Sequence, residues 1–407
     1  MNLKPRLLML KIVLYLFLFI CVFDPADKVL GIKVHTFIIM WILFGIYVLV
    51  NKIYLRLPKK MILFFCLFYI VPLISIVLYY FVGDNYIKFD GLQYFKTYMF
   101  VSIVIIVFVT EIKLIEPAVI FISSISIITI LISILYLIYP EYIQGFSIFF
   151  GKKYGVFEMG NKLHATFMPD LPTIYFHTAE LIILPVGYFS VMSLRTNGRK
   201  RVFNIIMLLI NMYGLYASDT RNNILASILI PMTVIFWYSK RKIIIAFLFS
   251  IFTMFIFILN LETFKEYFDL ENPSTSYKIG FARDYIDLFS DESVILFGQG
   301  LGSYFYTTNR GYVSITELSY FEFLRRFGIL LGTLSIVLFL VPLIKLFSMK
   351  HFEYHYVYIV HLFLMIITFF NPLLLTSSGM LIFSIILVQS FRQILVFRKW
   401  SFQAVID

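Results

Sequence analysis

What most restricts the folds open to this chain is a succession of long apolar runs, at about 7–23, 35–50, 61–82, 97–110, 117–139, 174–194, 202–217, 222–238, 243–260, 319–344, 355–374 and 377–396. About 20 mainly apolar residues carry a helix across the hydrocarbon of a bilayer. Every backbone N–H and C=O there must be bonded within its own segment, so such runs form helices. Composition points the same way. Of 407 residues, 61% are hydrophobic and 14% charged, against roughly 45–50% apolar and ~25% charged in soluble domains. The expectation is an all-α polytopic membrane protein with about twelve transmembrane helices, one integral membrane domain over 1–407.

A formal charge of +11 would suit nucleic acid if it were clustered on one face. With the first residue placed inside, however, the inside segments hold 20 Lys and Arg against four acids, and the outside segments 12 against 17. This is the positive-inside asymmetry of a membrane protein and gives no reason to expect nucleic acid as a partner. Both termini are expected in the cytoplasm. Lys4, Arg6 and Lys11 ahead of an apolar run resemble a signal peptide, but no small-x-small pattern precedes Asp24 and Pro25, so the run is read as a retained helix. Cys21 and Cys66 fall inside apolar runs and define no disulfide framework.

Two outside segments are long, at 140–173 and 261–318. Loops of that length are commonly functional. In the second, Ile279, Ala282, Ile286 and Phe289 recur at helical spacing after a turn-rich stretch from Asn272 to Ser276. They predict a short amphipathic helix lying at the outer membrane surface.

Charges inside apolar runs are costly and mark function by default. His177 and Glu180 stand near the start of the sixth run, and Glu322, Arg325 and Arg326 near the start of the tenth. All are expected in the outer third of the bilayer, converging on a cavity open to the outer face. Spacing also allows bland readings: His177 with Glu180 as a local pair, and Glu322 with one arginine as a local ion pair. Because adjacent helical residues point about 100° apart, one carboxylate is not expected to satisfy both Arg325 and Arg326. His361 reads as a satisfied core histidine. Arg221 sits at a tight turn, Ser218 to Asn223, ahead of an outward-facing helix N-terminus, which suits a phosphate. The run Gly298-Gln299-Gly300-Leu301-Gly302 lacks a P-loop Lys and is read as flexible backbone. No cofactor is expected, and six scattered histidines give no metal-ligand spacing.

Taken in order, these residues resemble the O-antigen polymerase and O-antigen ligase superfamily of bacterial polysaccharide assembly. The resemblance covers about 210–335: the turn at Thr220-Arg221, two helices, a large external loop ending in Phe297 to Gly302, then Glu317 to Glu322 and Gly328 to Gly332. The first 200 residues match only in hydropathy. Ligases of the superfamily often carry His-Asn eleven residues before the glycine matched by Gly328. Glu317-Leu318 stands there instead, which favours a polymerase.

The resemblance implies a GT-C-type glycosyltransferase fold in the bacterial inner membrane. It implies extension of a glycan on undecaprenyl-pyrophosphate-linked oligosaccharides at the outer face, with a chain-length regulator protein as a partner. In that chemistry Arg221, with Arg283 and Arg325 behind it, would meet the leaving pyrophosphate. Glu317, with Glu322 second, would accept the attacking hydroxyl's proton. Arg310 and His164 would bind substrate. The alternatives are a lipid-linked oligosaccharide flippase, for which two pseudo-repeated halves and short external loops are expected, and a ligase.

Overall fold

The computed structural model describes residues 4–82, 90–149, 151, 155–160, 172–218, 220–239, 273–344 and 355–403. Within the described residues the apolar runs are helical, apart from the start of the sixth. The first four segments are α1 (Lys4–Phe23), α2 (Lys33–Val50), α3 (Lys59–Val82), and α4 (Asp90–Met99), which continues through a 3-10 turn into α5 (Ile103–Thr110). Next come α6 (Ile115–Ile138), α7 (Pro140–Ile148), the antiparallel pair β1 (Phe157–Gly160) and β2 (Thr173–Phe176), α8 (Ile183–Arg195), α9 (Gly198–Ala217) and α10 (Arg221–Tyr238). The C-terminal part comprises α11 (Pro273–Leu288), α12 (Glu292–Phe297), the hairpin β3 (Phe305–Thr307) and β4 (Gly311–Val313), α13 (Ser319–Leu340), α14 (Tyr356–Phe370) and α15 (Ser377–Gln403).

Among the described residues, five segments are long and apolar enough to cross a membrane: Lys33–Val50, Lys59–Tyr79, Gly91–Thr110, Ile115–Ile138 and Ser319–Leu343. Leu7–Phe23, Asn222–Tyr238, Tyr356–Phe370 and Ser377–Arg392 are shorter apolar helices. The protein is therefore a helical membrane protein. Its helix surfaces fit that setting, since Ile12, Ile42, Leu63, Leu131, Leu209 and Leu330 are all exposed, a display of apolar side chains that water would penalise. Inside, rings interlock: Phe17, Phe37 and Phe100 in one group, and Phe64, Phe68, Phe339 and Phe383 in another.

Polar contacts sort the helix ends into two sets. At one end, Thr178 Oγ1 donates to Val22 O (2.9 Å), Ser377 Oγ to Pro25 O (3.2 Å) and Ser319 Oγ to Asn371 O (2.7 Å). The buried Lys33 donates to the Pro25 carbonyl and to Ser377. At the other end, Arg392 donates to the carbonyls of Val107 (2.9 Å) and Ile112 (3.0 Å), and Arg195 lies 5.2 Å over the Tyr238 ring. Residues 273–318 belong to the first end, packed beside the start of α13.

Two expectations about elements are corrected. The run 174–194 does not begin as a helix. Residues 173–176 form β2, opposite Glu158 and its neighbours, and the α-helix starts at Ile183. The alternation of β-branched and aromatic residues in Thr173-Ile174-Tyr175-Phe176 is a strand pattern that the surrounding hydropathy hid. The helix foreseen near 279–289 does form, but its buried side chains are Phe281, Asp284 and Tyr285, whereas Ile286 is 68% exposed. Tyr285 stacks on Phe305 and Phe321 and clusters with Phe281, while of the predicted stripe Ala282 and Phe289 pack against that cluster only in part. The run 243–260 lies outside the described residues.

Candidate functional site

The site is built on a broken helix. Gly328, inside α13, has φ +71° and ψ 175°, so Ser319–Phe327 and Ile329–Leu340 are two helical segments meeting at a kink. A break strands carbonyl oxygens that must find other partners at this depth. Gln299 N–H donates to Arg325 O (2.6 Å), Gly300 N–H to Arg326 O (3.1 Å), and Ser75 Oγ from α3 also to Arg326 O (2.8 Å). Two glycines allow this approach. A Cβ on Gly328 would stand 2.3 Å from Leu296 O, and one on Gly298 would stand 2.5 Å from Gly328 N. The Gly-rich run, expected to be flexible, is instead docked: Gly298, Gly300 and Gly302 take φ of +73°, +87° and +100° so that the chain can lie across the break.

Directly N-terminal to the break, Glu322, Arg325 and Arg326 are all 0% exposed. Glu322 Oε2 accepts from Arg325 Nη2 (2.8 Å) and from Arg326 Nε (2.7 Å), while Oε1 accepts from Tyr285 Oη (2.6 Å) and Thr316 N (3.0 Å). The expectation that one carboxylate cannot satisfy both arginines is overturned. Bonding one arginine through its terminal nitrogen and the other through Nε lets both side chains reach the same oxygen despite the 100° offset. The expected open cavity is corrected as well, because the loop covers all three charges. Arg325 Nη1 donates to Gln299 Oε1 (2.9 Å) and Ser303 Oγ (2.8 Å), and both arginines donate to Ser314 O. Arg325 lies 5.5 Å over the Phe305 ring and Arg326 4.1 Å over that of Tyr94. One carboxylate against two guanidiniums leaves a buried surplus of one positive charge, costly unless something compensates it. Burial pushes the Tyr285 hydroxyl well above the usual phenol range, and the Glu322 charge pushes the same way, so Tyr285 remains a donor.

A second, more accessible cluster lies one helical turn away along α11. Glu317 Oε1 is 3.2 Å from Arg310 Nη2, and its Oε2 is 3.8 Å from Lys278 Nζ. Arg310 stacks over Tyr277 (5.2 Å) and Phe281 (5.3 Å), and Lys278 over Phe370 (5.6 Å). Phe281 supports this cluster while Tyr285, four residues on, holds Glu322, so a single helix joins the two. Buried Asp284 accepts from Thr308 N (3.1 Å) and fastens the β3–β4 hairpin to the same helix.

Glu317 with Arg310, and Glu322 with Arg325, are thus brought together. Arg283 is not: it stands exposed, about 200° around α11 from both Phe281 and Tyr285. Arg221 opens α10 at its first residue, after Thr220 in extended conformation. His164 lies outside the described residues. The expected His177–Glu180 pair is replaced by two others. Tyr175 Oη donates to Glu180 Oε1 (2.9 Å), and His177 Nε2 stands 3.8 Å from Glu158, because a strand puts residues two apart on one face. His361 is a core histidine as expected, its Nε2 2.7 Å from Phe339 O, but it is only half satisfied, since its buried Nδ1 has no partner among the described residues. Among the described residues no group of three His, Cys, Asp or Glu is placed to hold a metal.

No protein-family model, curated protein or solved structure matches this chain. The geometry therefore carries the functional argument together with the motif resemblance. Tyr285, Gln299, Ser303 and Thr316 belong to the site and were not singled out by sequence. Gln299 and Ser303 had a signal, the alternation of glycines around them, but that pattern alone does not say what the glycines pack against.

Proposed function

We propose that this chain is a glycosyltransferase of the polysaccharide-polymerase type, joining undecaprenyl-pyrophosphate-linked oligosaccharide units at the membrane face that bears residues 273–318. The observation carrying this reading is the broken helix α13, with a buried surplus positive charge beside its kink and a more accessible carboxylate in the loop assembly above it. A lipid-borne diphosphate leaving group needs fixed cationic donors, for which guanidinium is suited by its permanent charge and fork. In this reading Arg325 and Arg221 meet that charge. Glu317, rather than Glu322, takes the proton from the attacking sugar hydroxyl, since all four contacts of Glu322 are spent inside the protein. Glu317 must give up Arg310 or Lys278 to do so. Twelve spans, cytoplasmic termini and placement in a bacterial inner membrane belong to the same proposal, as does a chain-length regulator as partner.

One observation favours a second reading. A discontinuous helix with charges at its break is also how transporters build midplane sites, which suits a lipid-linked oligosaccharide flippase. Gene deletion separates the two. A polymerase defect leaves surface glycan one repeat long, a flippase defect traps single repeats on the cytoplasmic side with nothing displayed, and a ligase defect strands long chains on the lipid carrier. Anything but one-repeat surface glycan refutes the polymerase.

A further inference from the structure

One of the two donors assigned to the leaving diphosphate, Arg325, is inaccessible in this structure. Arg325 is 0% exposed, and what shuts it in is the segment Gly298–Ser303. The acceptors this segment offers Arg325 are neutral: the Gln299 amide oxygen and the Ser303 hydroxyl and carbonyl. Arg325 Nε has no acceptor among the described residues although it is buried. A cation that shares its one carboxylate with a second arginine, is otherwise held by neutral acceptors and has one N–H left over is under-compensated. Anionic oxygens make charge-assisted bonds about twice as strong as neutral ones. The segment also carries its own pivots, since Gly298, Gly300 and Gly302 all occupy the left-handed side of φ space.

We infer that Gly298–Ser303 is a lid over Arg325. In the closed state Gln299 and Ser303 stand in for the oxygens of a lipid diphosphate, and the lid lifts when that diphosphate arrives. The inference rests on the glycosyl-transfer reading above and adds the regulation of its donor site. Lifting exposes the carbonyls of Arg325 and Arg326 that Gln299 N and Gly300 N had capped, and water entering from the loop end takes over; Ser75 keeps its bond to Arg326 O. Glu322 stays on both arginines, so the guanidiniums remain oriented while their cover is away. The lid is well docked, with Leu301 fully buried and its carbonyl against Gly91, so the open state is a minority without ligand.

Leu301 reports the motion. In full-length protein lacking Cys21 and Cys66, reconstituted in lipid nanodiscs, Leu301→Cys should react slowly with a hydrophilic maleimide. Saturating undecaprenyl pyrophosphate should speed this on the order of ten-fold as the population shifts. A cysteine at Tyr54, 85% exposed and far from the lid, should keep its rate. Gln299→Ala, which removes one docking bond, should raise the ligand-free rate at position 301. If Leu301→Cys does not fold, Ser303→Cys gives the same readout. Measurable binding of the lipid diphosphate with unchanged or slower labelling overturns the lid and leaves the polymerase reading standing. Absence of binding overturns both.

Discussion

At the scale of single residues, the two carboxylates separate by what surrounds them. Glu322 has no solvent and four bonds. Glu322→Gln leaves two buried guanidiniums without a counter-charge, and such a loss costs about 3–5 kcal/mol. It should appear as depleted protein in membranes and a lower melting temperature in detergent. Tyr285→Phe strips Glu322 of one donor and should cost less, about 1–3 kcal/mol. Glu317 is 32% exposed, and its ion pairs contribute no more than about 1 kcal/mol. Glu317→Gln should therefore be present at normal level while, if it is the base, the polymerisation rate in isolated membranes falls roughly 10²–10⁴-fold. Near-normal polymer from Glu317→Gln would remove it from the chemistry. Arg221→Lys keeps charge and loses the fork, so polymer should fall sharply at normal protein level; wild-type chain lengths would exclude Arg221. That Glu322, Arg325 and Arg326 would need partners was legible in the sequence, because ionised groups in apolar runs demand a reason. Which carboxylate is spent and which is available was not, since that depends on Tyr285 and Thr316, brought in from other parts of the chain.

At the scale of elements, the kink in α13 and the glycine segment across it form one structure. Each requires a glycine where a Cβ would strike backbone, and backbone cannot step aside as a flexible side chain can. Gly328→Ala, at φ +71° with Leu296 O at 2.3 Å, and Gly298→Ala, at φ +73° with Gly328 N at 2.5 Å, should both abolish accumulation of folded protein. Gly145→Ala, exposed on α7 with nothing within 4 Å of its Cβ, should be tolerated; this is read by size-exclusion profile after solubilisation. Sequence periodicity located α11 correctly yet chose the wrong face, since counting apolar positions gives Ile286 the same weight as Phe281. In the structure Phe281 is buried in one cluster with Tyr285, whose ring stacks on Phe305 and Phe321.

At the scale of the whole molecule, the alternation of helix ends carries a topology that can be tested without knowing the function. Single cysteines at Ser276 and Tyr142 should share one side of the membrane, and Arg199 should lie on the other. In intact spheroplasts an impermeant thiol reagent should label the first two only; labelling at 199 instead would invert the orientation. Here the division between sequence and tertiary structure is clear. The sequence by itself determined that this is a helical membrane protein, roughly where its helices run, and that charges cluster beside α13, because lipid penalises any unpaired backbone group or ion regardless of how the helices are arranged. Only the tertiary structure decided that Glu322 holds both arginines, that the Gly298–Ser303 segment seals them, and that Glu317 remains within reach of solvent. Those outcomes depend on which distant segments supply the missing hydrogen bonds across a break of one residue, and local pattern does not encode that choice.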